Sequence, residues 1–264
     1  MSASRWFVCT VVTAMALMGA GSTMAGVLYS QLDSPNGTNS VTSQNFEADF
    51  DAFDDELADD FVVPAGGGWE VDTVSVLGGY FNGSGPAPTV RVTFYHNSGT
   101  FPGSAIAACN YPAIVPGGAG ANFTLSLAPA CMLAPGTYWV AVVANMDFAL
   151  GGQWGWTSRT VTSNHPAAWR NPGGGFGDGV CVSFGARAAT CGLVPGAPDQ
   201  LFSLSGTELC PCAGPRDTTQ SWKNHGQYVS CVAEASQSFV RQGLITPAEK
   251  GAIVSAAGRS SCGK

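Results

Sequence analysis

From Val27 to about Leu204 the chain is written in short apolar-polar alternations separated by turn residues. Val71-Asp72-Thr73-Val74-Ser75-Val76-Leu77 alternates, as do Val90-Arg91-Val92-Thr93-Phe94-Tyr95 and Phe123-Thr124-Leu125-Ser126-Leu127. A period of two puts one set of side chains on each face of a strand, so these runs predict half-buried strands. Thr137-Tyr138-Trp139-Val140-Ala141-Val142-Val143-Ala144 is apolar on both faces, as a central strand is. Pro102-Gly103, Pro116-Gly117, Pro135-Gly136, Pro195-Gly196 and Asn82-Gly83 punctuate the runs as turns. About eight to ten strands at this spacing predict a mainly β domain over 26–208, a two-sheet antiparallel sandwich of jelly-roll type.

Near Glu208 the period changes. Val229, Val232, Ala233, Ser236 and Val240 fall on one helical face, and Gly243 is placed to end that helix. Thr246-Pro247-Ala248-Glu249 joins an N-cap hydroxyl, a proline at the first helical position and a glutamate at the third, which predicts a second helix. Ile253, Val254 and Ala257 face inward from it, and Gly258 stops it. Residues 209–264 therefore read as a small helical hairpin. A unit of that size needs covalent staples or a surface to dock on.

The cysteines supply the staples. Cys109 and Cys131 flank a strand-turn-strand stretch, and Cys181 and Cys191 flank a Gly/Ala-rich loop, so each pair is expected to close locally. Cys210, Cys212, Cys231 and Cys262 belong to the hairpin. Residues one apart rarely bridge each other, so Cys210 and Cys212 are expected to take Cys231 and Cys262, in one order or the other. A zinc site from these four with His225 lacks paired C-x-x-C knuckles, and disulfides are the expectation.

The N-terminus fits that chemistry. Arg5, the apolar run Trp6–Met18 and the small residues Gly19 to Ala25 read as a signal peptide over 1–25, with Thr23 and Ala25 at the −3 and −1 positions of a cleavage site. The run is too short for a membrane span. Cys9 would leave with it, and the remaining eight cysteines suit a secreted, extracellular chain. Charged residues are 11% while Gly and Pro number 35 and 16, a balance that favours turn-rich β architecture over a helical cytosolic enzyme. The net charge of −7 and the lack of a basic stripe exclude a nucleic-acid partner from the expectation. That charge is local: eight acids lie between Glu47 and Asp60 with no Lys or Arg among them.

Phe46, Phe50, Phe53, Leu57 and Phe61 recur every three or four residues within this acidic run. The spacing predicts one amphipathic turn or helix, with phenyl rings inward and a solvated acidic face outward. The alternative is a calcium site at Asp54, Asp55, Asp59 and Asp60, for which the ordered D-x-D-x-D-G loop is missing. Otherwise no cofactor is implied. Trp154 and Trp156 would share a strand face, with Asn164, His165, Trp169 and Arg170 following in a loop. Indoles beside amides and a guanidinium form a candidate carbohydrate-binding face, each ring stacking on sugar C–H groups while the polar groups take hydroxyls. The alternative is that these tryptophans cap the sandwich or seal it against the hairpin. Neither a G-x-S-x-G elbow nor an H-E-x-x-H helix occurs, the six Glu are scattered, and Glu70-Val71-Asp72 is the nearest approach to a carboxylate pair.

Four segments are similar to exported bacterial β-sandwich modules, from proteins secreted or anchored at the surface: Ala58-Asp59-Asp60-Phe61-Val62-Val63-Pro64, Gly79-Tyr80-Phe81-Asn82-Gly83, Gly136-Thr137-Tyr138-Trp139-Val140 and Gly152-Gln153-Trp154-Gly155-Trp156. The tail, Trp222-Lys223-Asn224-His225-Gly226-Gln227-Tyr228-Val229 with Cys231 and Cys262-Gly263-Lys264, resembles C-terminal segments of other secreted bacterial proteins. The resemblance implies a module without assigned catalytic residues. The functional expectation is a secreted, non-catalytic binding module for extracellular glycan or a cell-surface polymer. A structural or adhesive spacer is the first alternative and an extracellular hydrolase the second.

Overall fold

The computed structural model describes residues 26–264 apart from Ala119 and Asp178, and not the side chain of Thr38; the segment 1–25, expected to be a signal peptide, lies outside the described residues. Two layers form the sandwich. One is a seven-stranded sheet whose centre is the apolar strand Gly136–Asn145, flanked by Glu56–Val63 and Thr89–Ser98. The other layer is split into two smaller antiparallel sheets. Gly26–Ser30, Phe202–Glu208, Trp69–Val76 and Phe123–Leu133 form the first; Pro35–Thr42, Gln153–Arg159, Gly78–Phe81 and Asp199–Gln200 form the second. At the seam Leu77, Thr157 and Leu201 exchange backbone hydrogen bonds of 2.9 to 3.3 Å, so the chain crosses from one half to the other without orphaned amides.

One apolar core joins the layers. Leu57, Phe61, Phe94, Val140 and Val142 meet Val71, Val74, Leu125 and Phe202 from the facing sheet, all fully buried. The predicted runs therefore fall on strands with their apolar positions inward. The Cys109–Cys131 bridge ties the edge strand Phe101–Ile114 to Phe123–Leu133 of the other layer.

The acidic run departs from its helical reading. Only Ala48–Phe53 is helical, a 3-10 turn, and the chain then becomes the strand Glu56–Val63. Leu57, Asp59, Phe61 and Val63 face the core, while Glu56, Ala58, Asp60 and Val62 take the other face by strand alternation. The acidic run is solvated only in its first half: Asp49 and Asp51 are exposed, whereas Asp55, Glu56, Asp59 and Asp60 are buried. Asp59 accepts from Gln31 Nε2 and Gln200 N at 2.7 Å, and Asp55 accepts from Gln44 N at 2.7 Å. These carboxylates take the N–H groups of Gln44 and Gln200, which lie on short strands paired on one side only.

Among the described residues the α-helices are α1 (Phe148–Gly151), α2 (His225–Arg241) and α3 (Pro247–Arg259). The last two form the expected hairpin. Thr246 and Glu249 make the reciprocal capping box, and Asn224 caps α2 through its side chain on Gln227 N. Besides Cys109–Cys131 the disulfides are Cys181–Cys191, Cys210–Cys231 and Cys212–Cys262, which settles the order left open in the hairpin. The hairpin docks on the sandwich through Phe239, fully buried, where sequence periodicity favours Val240. Gly68 leaves that space: a Cβ there would stand 2.7 Å from the Phe239 ring. Four disulfides place the protein in an oxidising, extracellular-type environment. Among the described residues no helix is long and apolar enough to cross a membrane.

Candidate ligand-binding groove

The tryptophans expected to stack on sugar do not share a surface. Trp154 and Trp156 are 0% exposed. Trp154 stacks on Phe123 at 4.7 Å and donates its indole N–H to Ala121 O at 2.8 Å. Trp156 meets Phe202 edge-on at 5.9 Å and donates to Leu201 O at 2.8 Å. Both are residues of the sandwich core, packed inside the split layer. Trp169 and Arg170 are neighbours on the strand Ala168–Arg170 and so take opposite faces. Arg170 lies against Glu56, with Nη2 at 2.5 Å from Oε2, and over the Phe184 ring at 4.3 Å. Asn164 is exposed in a turn at φ +60°, beside His165, whose backbone N–H reaches Asp60.

Of this set Trp169 lines the main groove, while Arg170 lies at a separate pocket with Glu56 and Arg91. A groove of about 620 Å³ runs between the strand Pro35–Thr42 and the loop closed by Cys181–Cys191. Ser40 and Thr42 line one wall, Thr190 and Leu193 the other, with Phe81 and Phe176 as its rings and Asp55 at its base. Trp169 is only 3% exposed, and its indole donates to Asp55 Oδ2 at 3.1 Å and Thr42 O at 3.2 Å, so it fixes the floor. Burial pushes the Asp55 carboxyl well above the ordinary carboxylate range, against the opposing pull of its bonds from Gln44 N and Trp169. A carboxyl so placed is a hydrogen-bond donor as well as an acceptor when protonated.

Phe176 is placed by the segment Asn171-Pro172-Gly173-Gly174-Gly175. Asn171 Nδ2 donates to Ala52 O and Asp54 O at 2.9 and 2.8 Å, and Gly175 N donates to Ala52 O at 2.7 Å. The loop thus lies directly on the 3-10 turn. A Cβ at Gly173 or Gly175 would come within 2.6 Å of Ala52 backbone atoms, so only glycine permits this approach. Phe176, 42% exposed, then stands 6.0 Å from Trp169 and 5.3 Å from Phe53, forming the wall shared by the groove and a smaller phenyl pocket. The seat of this glycine run on Ala52, about 120 residues earlier in the chain, was not legible in the sequence.

The acids named for calcium do not converge. Asp54 Oδ1 accepts from Phe46 N at 2.7 Å, Asp55 and Asp59 are bonded within the protein, and Asp60 lies on the other face of its strand. Among the described residues no three His, Cys, Asp or Glu side chains form a group able to hold a metal ion. An internal polar hub lies behind them instead. Asp59 and Asp199 are buried near Arg187, which donates to Leu193 O at 2.9 Å. Burial, then mutual repulsion with Asp199, raises Asp59 well above the carboxylate range; burial also pushes Asp199 up to about 6 and Asp60 to about 7.

The fold and its groove define a disulfide-stapled β-sandwich with an aromatic surface cleft and a helical C-terminal hairpin. Compared with protein-family models, curated proteins and solved structures, the chain matches none.

Proposed function

We propose that this is a secreted, non-catalytic binding module that takes an extracellular glycan or cell-surface polymer in the groove beside Phe176. The observation that carries the reading is the pairing of exposed Phe176 with hydroxyls and a buried carboxyl in one cleft. Phenyl faces at Phe81 and Phe176 suit the C–H surface of a sugar ring, and Ser40, Thr42, Asp55 and Thr190 suit its hydroxyls. The walls are preformed, one by a sheet strand and one by a disulfide-closed loop, which lowers the ordering cost of binding. Export follows from the N-terminal signal reading and agrees with the four disulfides.

Affinity electrophoresis through a panel of polysaccharide gels, with calcium and with EDTA, tests this. Retardation in at least one gel is expected, weakened about tenfold or more by Phe81→Ala with Phe176→Ala, the scale of losing two stacking rings. Retardation unchanged in that variant refutes the groove. No retardation in any gel refutes the glycan reading and leaves the structural or adhesive spacer in its place.

A further inference from the structure

Beyond the groove, the far side of Phe176 opens into a second pocket of about 250 Å³. Its walls are Phe46, Phe50, Phe53, Phe148 and Phe176, with Gln153 behind them. The rings form a connected set: Phe50 lies 6.0 Å from Phe53 and 5.7 Å from Phe148, and Phe53 meets Phe176 edge-on. Phe50 and Phe148 are each 36% exposed, so phenyl surface faces solvent here instead of closing on itself. Such a patch on an otherwise well-packed sandwich marks a binding surface.

Charge decides what would enter. Glu47 crosses from the 3-10 turn to α1, its carboxylate accepting from Phe148 N at 2.6 Å and Ala149 N at 3.2 Å, which seats it on the backbone of Phe148, one of the pocket's rings. Desolvation acts to raise this carboxyl, but the backbone N–H groups of Glu47, Phe148 and Ala149 outweigh it and hold the group below the ordinary range. Asp54 is seated likewise on Phe46 N, and Asp49, Asp51 and Asp147 are exposed on the same segments. Residues 46–54, 146–153 and 171–186, which carry the walls, contain no Lys or Arg. Arg91 and Arg170 border a separate pocket with Asp54 and pair with Glu56. A neutral apolar guest gains nothing from this field. A cation with an apolar shell gains from both the carboxylates and the ring faces.

We propose that the phenyl pocket binds a small organic ammonium ion, its alkyl groups against the phenyl rings and its charge toward Glu47. The volume suits a trimethylammonium head with a short tail. The test is calorimetric or ligand-observed NMR titration of the folded protein with choline and with 3,3-dimethylbutan-1-ol, its neutral isostere. Saturable choline binding is expected, with the isostere at least about tenfold weaker, because the shape is kept and the cation is lost. Phe50→Ala with Phe148→Ala, at exposed rings, and Glu47→Gln, which keeps an acceptor for the Phe148 amide, should each weaken choline binding. Equal affinity for the two probes overturns the proposal, as do choline binding indifferent to those variants and absence of saturable binding up to about 50 mM. None of these results bears on Phe81, Ser40 or Thr42, so failure here is separable from failure of the groove.

Discussion

Trp154 illustrates what single residues do in this molecule. Its indole is fully buried, stacked on Phe123 and hydrogen-bonded to Ala121 O, and Gly78 packs so close that a Cβ there would stand 2.4 Å from Nε1. Trp154→Ala should therefore cost about 3–5 kcal/mol in urea-unfolding stability, the range for a large aromatic removed from a core. A loss under about 1 kcal/mol would place the ring at the surface after all. The buried acids make a second residue-scale prediction. Asp59, Asp60 and Asp199 all hold protons more tightly in the folded state than carboxylates do in an unfolded chain. Between the unfolded carboxylate range near pH 4 and the folded values of about 6 and 7 the native state binds more protons, so stability falls as pH rises through that window. Urea midpoints should be higher at pH 5 than at pH 8; the reverse order would show these groups ionised and well paired. Neither role was legible in sequence. A Gln-Trp-Gly-Trp run reads alike in a core and on a sugar platform, and an acid-rich run reads as solvated until the amides that need its oxygens are known.

The elements are where sequence speaks most clearly. Alternation located Trp69–Val76, Thr89–Ser98, Phe123–Leu133 and Gly136–Asn145 to within a few residues, because one side of each faces the core and the pattern must follow. The Thr246–Glu249 capping box was equally readable, since its chemistry is local. The run from Phe46 to Phe61 misled because a 3-10 turn followed by a strand can mimic helical spacing over sixteen residues. Two elements carry predictions. Gly175→Ala puts a methyl within 2.6 Å of Ala52 O, so the glycine loop should lift from the 3-10 turn. Amide exchange at Gly175 and Phe176 should speed by about tenfold or more while the sheet amides keep their protection. Unchanged exchange there would mean the loop does not need that seat. In the hairpin, the Cys212–Cys262 bridge closes a 50-residue separation. Replacing both by Ser should cost about 4 kcal/mol by chain entropy, with helical protection in α2 and α3 lost before that of the sandwich. Simultaneous loss of both would show that the hairpin and sandwich fold as one cooperative unit.

At the scale of the whole molecule, the sandwich is a rigid frame on which one region differs from the rest. The 3-10 turn, the glycine loop and α1 meet at one place, where they leave phenyl rings exposed and bases absent. Asn171 N donates to Cys181 O at 2.7 Å, which ties the glycine loop to the disulfide-closed loop, and Gln153 brings the end of its strand to the phenyl pocket. Composition anticipated the architecture and the acidic patch, but the groove is assembled from segments near residues 40, 55, 81, 170 and 190, whose proximity only the fold supplies. The most direct test of the account is hydrogen-exchange footprinting of the protein with a polysaccharide that retards it, compared with the free protein. The account predicts slowed exchange at residues 40–42, 169–177 and 190–194, with the Trp154–Trp156 strand unchanged. Protection confined to any other face, with these segments unaffected, would contradict it.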